Sequence, residues 1–155
     1  MKTNNLKKMM MMIRTTKKGK NMNQLEETYE IIRKEKIEII KFNFSSRPAG
    51  IVEDDYGMAI LVDKSKISSS IEENIVLNEE LGHYYCNAFY DKQSSPTLVA
   101  KMEYRAKKWQ IQRLVPLHLL KQNKNKTIDD LAEQFNVTVK FMLDALKFYR
   151  ERQLI

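Results

Sequence analysis

From residue 22 onward the apolar positions fall into regular periods. Leu25, Tyr29 and Ile32 recur at helical spacing in MNQLEETYEIIRKEK, which predicts a first amphipathic helix. IEIIKFNF, residues 37–44, is rich in β-branched and aromatic residues. Two further apolar segments, around Gly50-Ile51-Val52 and over 58–62, flank the acidic, glycine-ended stretch 53–57. This pattern predicts a small sheet containing a hairpin. Residues 64–69 form a polar connection, and Ser70-Ile71-Glu72-Glu73 has the form of a capping box, so a helix is expected from Ser70 through Cys86. After a loop over 87–96 comes a helix over 98–114, interrupted at Pro116 before 117–120 continue it. Further on, Thr127-x-x-Asp130 caps another helix. Leu131-Ala132, Asn136-Val137-Thr138, Met142 and Leu146 then follow the apolar and turn pattern of a helix-turn-helix.

Residues 1–21 have no such period. Asn, Thr, Lys and Gly crowd around the run Met9 to Met12, an apolar stretch too short for a signal-peptide core, so the tail is expected to be disordered and export is not expected. Its composition also explains the charge of the chain. Of 27 basic residues seven lie in 1–21, where there is no acid, so residues 22–155 carry 20 basic and 20 acidic residues and are neutral overall. Lys18-Gly19-Lys20-Asn21 can be encoded by a purine-rich stretch like a bacterial ribosome-binding site, which suggests that translation starts at Met22. A peptide covering residues 2–20 recovered from cells would refute that start.

With 155 residues there is room for one compact domain and a small appendage. The division expected is a basic tail at 1–21, a main domain at 22–125 and a helical appendage at 126–155. No apolar run approaches the roughly 20 residues of a membrane-spanning helix. The single cysteine, Cys86, excludes an internal disulfide and any cysteine-built metal site, and matches a reducing, cytoplasmic compartment.

The helix from Ser70 carries Asn78-Glu79-Glu80-Leu81-Gly82-His83-Tyr84. Glu79 and His83 are four apart and project from one face. In a metallopeptidase HExxH helix two histidines at this spacing bind zinc, and the glutamate after the first acts as general base. Here Glu79 stands at the first histidine's place, Glu80 at the general base's and His83 at the second histidine's. The bland alternative is a solvated Glu79–Glu80 pair with a structural histidine, and an exposed charge at Glu103; a metal site of the HExxH type instead requires a third ligand from a following helix. On the helix over 98–114, Glu103 shares a stripe with Val99, Ala106 and Gln110, and Ala106 would allow close packing. Tyr84, Tyr85, Phe89 and Tyr90 are candidates either to line a peptide groove or to anchor core and loop. His118, near Pro116, suits a capping or surface role better than metal ligation, and a Cys86–His83 nucleophilic pair on one helix is a weaker reading than a structural cysteine.

Three segments together resemble the ImmA/IrrE family of metallopeptidases: Glu79 to Tyr85, Glu103-x-x-Ala106-x-x-Trp109 with Leu114-Val115-Pro116, and Asp130 to Val137. The resemblance covers residue 22 to about residue 152. It implies an α+β, zincin-like domain with a small β-sheet and an active-site helix, followed by the helix-turn-helix-like appendage. It also implies a metal-dependent endopeptidase that cuts a helix-turn-helix repressor of a phage or other mobile element. Carried over, His83 and Glu103 match metal ligands and Glu80 matches the catalytic glutamate, while Glu79 replaces the usual histidine.

That replacement changes the chemistry. Two carboxylates and a neutral imidazole cancel the charge of a divalent cation, so a bound water is less acidified than under two histidines and one carboxylate. Zinc remains the metal expected, and the oxygen ligands make manganese or iron easier to accept. The alternative function is a catalytically inactive module that keeps the fold for protein interaction or DNA binding. DNA is the weaker partner: residues 126–155 hold five basic and five acidic residues, and phosphate contact needs a basic face.

Overall fold

A computed structural model of the protein describes residues 23–155. The expectations for the basic tail and for a start at Met22 lie outside the described residues. The described chain is α+β, with six α-helices and one three-stranded mixed sheet.

Helix α1 (Gln24–Lys34) starts where Asn23 and Glu26 bond each other's backbone N–H in a reciprocal capping box, and it buries Thr28 and Ile32. Lys36 then takes a left-handed conformation (φ 58°) that turns the chain into β1 (Glu38–Lys41). Only four of the eight residues over 37–44 are strand. Buried Ile37 precedes the strand, and Phe44 follows it with its N–H bonded to the Asp63 carboxylate at 2.9 Å. Strands β2 (Ala49–Asp54) and β3 (Gly57–Val62) form the expected hairpin with longer arms, since only Asp55 and Tyr56 separate them. The Asp54 carboxylate accepts from the N–H groups of Tyr56 and Gly57, and Gly57 at φ 134° provides a conformation few other residues adopt. The sheet order is β1-β3-β2, with β1 parallel to β3.

Helix α2 (Ser70–Tyr85) spans the range expected, but its cap is one residue earlier. Ser69 is the N-cap and bonds the Glu72 N–H, while Glu72 turns back to the Ser68 N–H and hydroxyl. Glu73 is thereby freed to meet Lys64 and the Tyr29 hydroxyl. Helix α3 (Pro96–Leu114) begins two residues before expectation, with Ser95 as cap and proline in the first turn, where its missing N–H is harmless. Val115 and Pro116 separate it from α4 (Leu117–Gln122). Helices α5 (Ile128–Gln134) and α6 (Val139–Glu151) are joined by a tight turn with Asn136 in the left-handed region (φ 51°), and the predicted Thr127–Asp130 capping box is present.

Two apolar clusters lie on either side of α2 and α3. One joins Ile32, Ile60, Val62, Leu77, Leu81 and Trp109, so it locks α1 and the sheet to α2. The other joins Ile111, Leu114 and Val115 of α3 to Leu131, Phe141, Met142 and Leu146. Tyr149 ties this second cluster by donating its hydroxyl to the Val115 carbonyl at 2.7 Å. Among the described residues no helix is long and apolar enough to cross a membrane.

Candidate metal centre

The site is built where α2 and α3 approach most closely. A Cβ on Gly82 would lie 2.6 Å from the Ala106 carbonyl oxygen, so only glycine lets the two backbones pass at this distance. This close approach sets the fourth turn of α2 against the stretch of α3 that holds Glu103, one turn before Ala106.

Toward α1 and the C-terminal end of α3, α2 is fixed by a buried polar network that the sequence pattern did not reveal. Thr28 of α1 donates to the Asn74 side chain at 2.7 Å, and the Asn78 amide donates to Thr28 and to Asn74. Arg113 of α3 completes it with a 2.8 Å bond to the Asn78 oxygen. In a low-dielectric interior such satisfied bonds define one rotation of the helix about its axis. That rotation turns Glu79, Glu80 and His83 away from α1.

Glu79, His83 and Glu103 converge as expected. Each offers one ligand atom, and these atoms all lie within 4.8 Å of one another; His83 Nε2 stands 3.6 Å from a Glu103 oxygen. Ligands placed tetrahedrally at ~2.1 Å from a metal are separated by about 3.4 Å. The His83–Glu103 pair already matches this, and a glutamate rotamer adjustment of roughly 1 Å brings in the rest. The imidazole is also oriented for ligation. Its Nδ1 lies 2.7 Å from the Ala88 carbonyl oxygen, which can only accept, so Nδ1 carries a proton and Nε2 is the nitrogen that faces Glu103. The donor set therefore fits a divalent cation: an oriented imidazole and two carboxylates from two helices.

Glu80 points elsewhere. It is 8% exposed, and the Ile51 backbone N–H is among the groups that act on its carboxyl. Pro48 accepts from the Asp63 N–H, and in the antiparallel register this directs the N–H groups of Ala49 and Ile51 to the outer edge of β2. Glu80 thus occupies the free edge of the sheet beside the three converging groups. Burial, and next the charge of Glu79, push its pKa up to about 8, against the lowering effect of Arg47.

The sign of this shift gives a stability prediction for the metal-free protein. Below pH 4.5 Glu80 is protonated both folded and unfolded. As pH rises from 4.5 to about 8 the unfolded chain releases this proton while the folded chain retains it, so stability falls across that window and the loss is complete above it. The full loss is on the order of 5 kcal/mol. Thermal melts from pH 5 to pH 8.5 should show the decline in the wild type and a shallower one in Glu80→Gln.

The aromatics divide between the two roles considered. Tyr84 and Tyr85 both donate to the Glu35 carboxylate, and Tyr85 stacks on Trp109, so they anchor α2 to α1 and α3. Tyr90 enters the site instead. Its hydroxyl donates to Glu103, its ring meets His83 edge-on at 6.1 Å, and burial together with the Glu103 bond pushes its pKa up to about 12, which keeps it a donor. His118 is exposed on α4 and does not belong to the converging group, and Cys86 donates weakly to the Arg105 carbonyl.

Arg47, in the loop before β2, was not among the residues singled out from sequence. Its charge reaches both Glu80 and Tyr90. No spacing rule connects Ser45-Ser46-Arg47-Pro48 with the helix motif, so only the folded chain reveals it. Compared with known proteins, the chain matches no family model, no curated protein and no solved structure.

Proposed function

We propose that the protein is a metal-dependent endopeptidase acting on a protein regulator, with Glu79, His83 and Glu103 as metal ligands and Glu80 as general base. The observation that carries this reading is the convergence of those three side chains with His83 Nε2 facing Glu103. Buried Glu80 beside them supplies the proton-transfer group that hydrolysis needs, with a pKa raised toward neutrality. Zinc is the metal proposed, with manganese or iron as substitutes favoured by the two oxygen ligands.

A cation held there supplies a Lewis acid that polarises the scissile carbonyl and makes water more acidic. Glu80, ionised by the neighbouring positive charge, accepts the proton of the attacking water as the new C–O bond forms. It then passes that proton to the amide nitrogen as the C–N bond breaks, so a carboxylic acid and an amine leave. Tyr90 holds the Glu103 carboxylate in place through its hydroxyl bond.

The substrate class proposed is a helix-turn-helix repressor of a mobile element, and its support is the family resemblance of Glu79–Tyr85, Glu103–Pro116 and Asp130–Val137. For α6 a protein partner suits better than DNA, because its exposed face mixes Val139, Leu143 and Asp144 with Lys140 and Lys147. Incubating the zinc-, manganese- or iron-loaded protein with the repressor encoded beside its gene tests the reading; discrete fragments support it, and an intact repressor under all three metals overturns it.

Replacing the unusual ligand gives a further prediction. Glu79→His should raise zinc affinity by about tenfold or more, because imidazole suits zinc better than a second carboxylate. Competition with a zinc-responsive dye measures this, and unchanged affinity would mean that Glu79 is not a ligand.

A further inference from the structure

The outer face of the sheet is apolar where a solvent-facing sheet is ordinarily polar. Strand β3 reads Met58-Ala59-Ile60-Leu61-Val62 without a polar position, the pattern of a strand covered on both faces. Among the described residues only one face is covered: Ile60 and Val62 pack with Leu77 and Leu81 of α2. Alternation sends Ala59 and Leu61 to the other side. The register sets Ile40 of β1 and Gly50 of β2 beside Leu61, and Val52 beside Ala59. Ile40 is 42% exposed, Val52 40%, and Phe42, next on that face of β1, 47%. None of these outward apolar side chains belongs to either core cluster.

Charge is divided along the strands of this face. One end holds Glu38, Asp54 and Asp55, with Tyr56 98% exposed at the hairpin tip. The other end holds Arg47. Gly50 shares the face of Leu61, and a Cβ on it would meet Arg47 Nη2 at 3.0 Å, so the guanidinium rests on the outer face. There it lies 4.8 Å over the Phe44 ring, which meets the Phe42 ring at 4.6 Å. Among the described residues Glu38, Asp55 and Arg47 form no ion pair. A half-turn about an axis lying across the strands makes such a face complementary to itself. It lays β2 antiparallel on β2 of another copy and brings Asp54, Asp55 and Tyr56 over Arg47 and Phe44, twice by symmetry. An axis along the strands would set acid on acid.

We propose that the outer face of the sheet is a self-association surface, on which a second copy of this chain packs face to face with its strands antiparallel. Stacked sheets sit ~10 Å apart with their side chains interdigitated, and aligned packing keeps the strand directions within about 30°. Burial of the apolar rows drives the pairing, while Arg47 beside Asp55 and Tyr56 of the second copy fixes its direction. Three strands ~4.8 Å apart, with six residues of ~3.3 Å in the longer two, span about 300 Å² of sheet. Even widened by Phe44 and Arg47 this is a small interface, so the dimer is reversible, with a dissociation constant of roughly 10–100 μM. The helices that carry Glu79, His83 and Glu103 lie on the opposite face of the sheet, so pairing leaves them open and stands independently of the metal reading.

Sedimentation velocity on the full chain between ~5 and ~500 μM tests the assignment. The wild type should pass from monomer to dimer across that range. Ile40→Lys, at an exposed position, should weaken the dimer by on the order of 10²-fold, because each copy brings a charge into the apolar centre. Arg47→Glu should weaken it by about tenfold. Adding Asp55→Arg to Arg47→Glu should restore the dimer, since the charges are exchanged across one contact while Asp54, which holds the turn, is untouched. A misfolded variant cannot show that recovery. A wild type that stays monomeric at the top concentration overturns the assignment, whether the face is bare or taken by residues 1–22 or by another protein. A dimer indifferent to Ile40→Lys and Arg47→Glu uses another surface and overturns it too. Loss in Arg47→Glu without rescue by Asp55→Arg overturns the antiparallel arrangement.

Discussion

Glu80→Gln should reduce repressor cleavage by about 10³-fold while metal content stays near that of the wild type. The carboxyl of Glu80 is acted on by the Ile51 N–H and lies outside the group formed by Glu79, His83 and Glu103, so its removal takes away proton transfer and not ligation. General acid–base groups typically supply 10²–10⁴-fold of rate, and the amide that replaces this one can neither accept the proton of water nor return it to the amine. The same change relieves a buried carboxyl of ionising, so the metal-free variant should also be more stable than the wild type at pH 8. His83→Ala is the contrasting variant: it removes the oriented Nε2 and should lose metal and cleavage together. Elemental analysis beside a cleavage gel separates the two cases. Loss of metal in Glu80→Gln would show that Glu80 is a ligand and would require the roles of the two adjacent glutamates to be exchanged.

Gly82→Ala should destabilise the fold and loosen the site at once. The added methyl group meets the Ala106 carbonyl oxygen at 2.6 Å, its carbon at 3.1 Å and its Cα at 3.2 Å, all backbone atoms of α3 that no side-chain rotation can clear. Overpacking of this kind costs about 1–3 kcal/mol. Against it stands a gain of about 1 kcal/mol from replacing glycine inside a helix. The steric effect prevails because the contact is far inside van der Waals distance, and the expected result is a melting temperature lower by roughly 5 °C. Glu103 lies one turn from Ala106, so the displaced helix also draws a ligand away from His83 and metal affinity should fall. A variant that melts higher than the wild type and binds metal equally well would show that the helix contact is not what positions the site.

Much of this architecture is legible in the sequence because it is periodic or local. The helical spacing of Leu25, Tyr29 and Ile32, the hairpin around Asp54 and Gly57, and the Thr127–Asp130 box are all short-range patterns, and each is present. The convergence of Glu79, His83 and Glu103 was readable in part from spacing, since two of the three share a helix face, while the third came from the family resemblance. The role of Gly82 is visible only in the folded chain, where its contact with Ala106 marks close helix packing. Other elements depend on long-range contacts. The cap of α2 is Ser69, one residue before the expected box, with Glu72 bonding back to Ser68 and Glu73 bonded to Lys64 and Tyr29 from other segments. The Thr28–Asn74–Asn78–Arg113 network joins residues up to 50 positions apart, and polar residues on a helix face ordinarily suggest solvent. Arg47 belongs with these, since its position over Phe44 and against Gly50 is set by the folded loop before β2.

Titration of zinc into the metal-free protein, followed by calorimetry for the wild type and for His83→Ala, tests the central claim most directly. The account predicts one equivalent bound by the wild type, with release of protons and a rise in melting temperature, and a loss of about 10²-fold or more in affinity for His83→Ala. Absence of binding in the wild type, or equal binding by the two proteins, would contradict it.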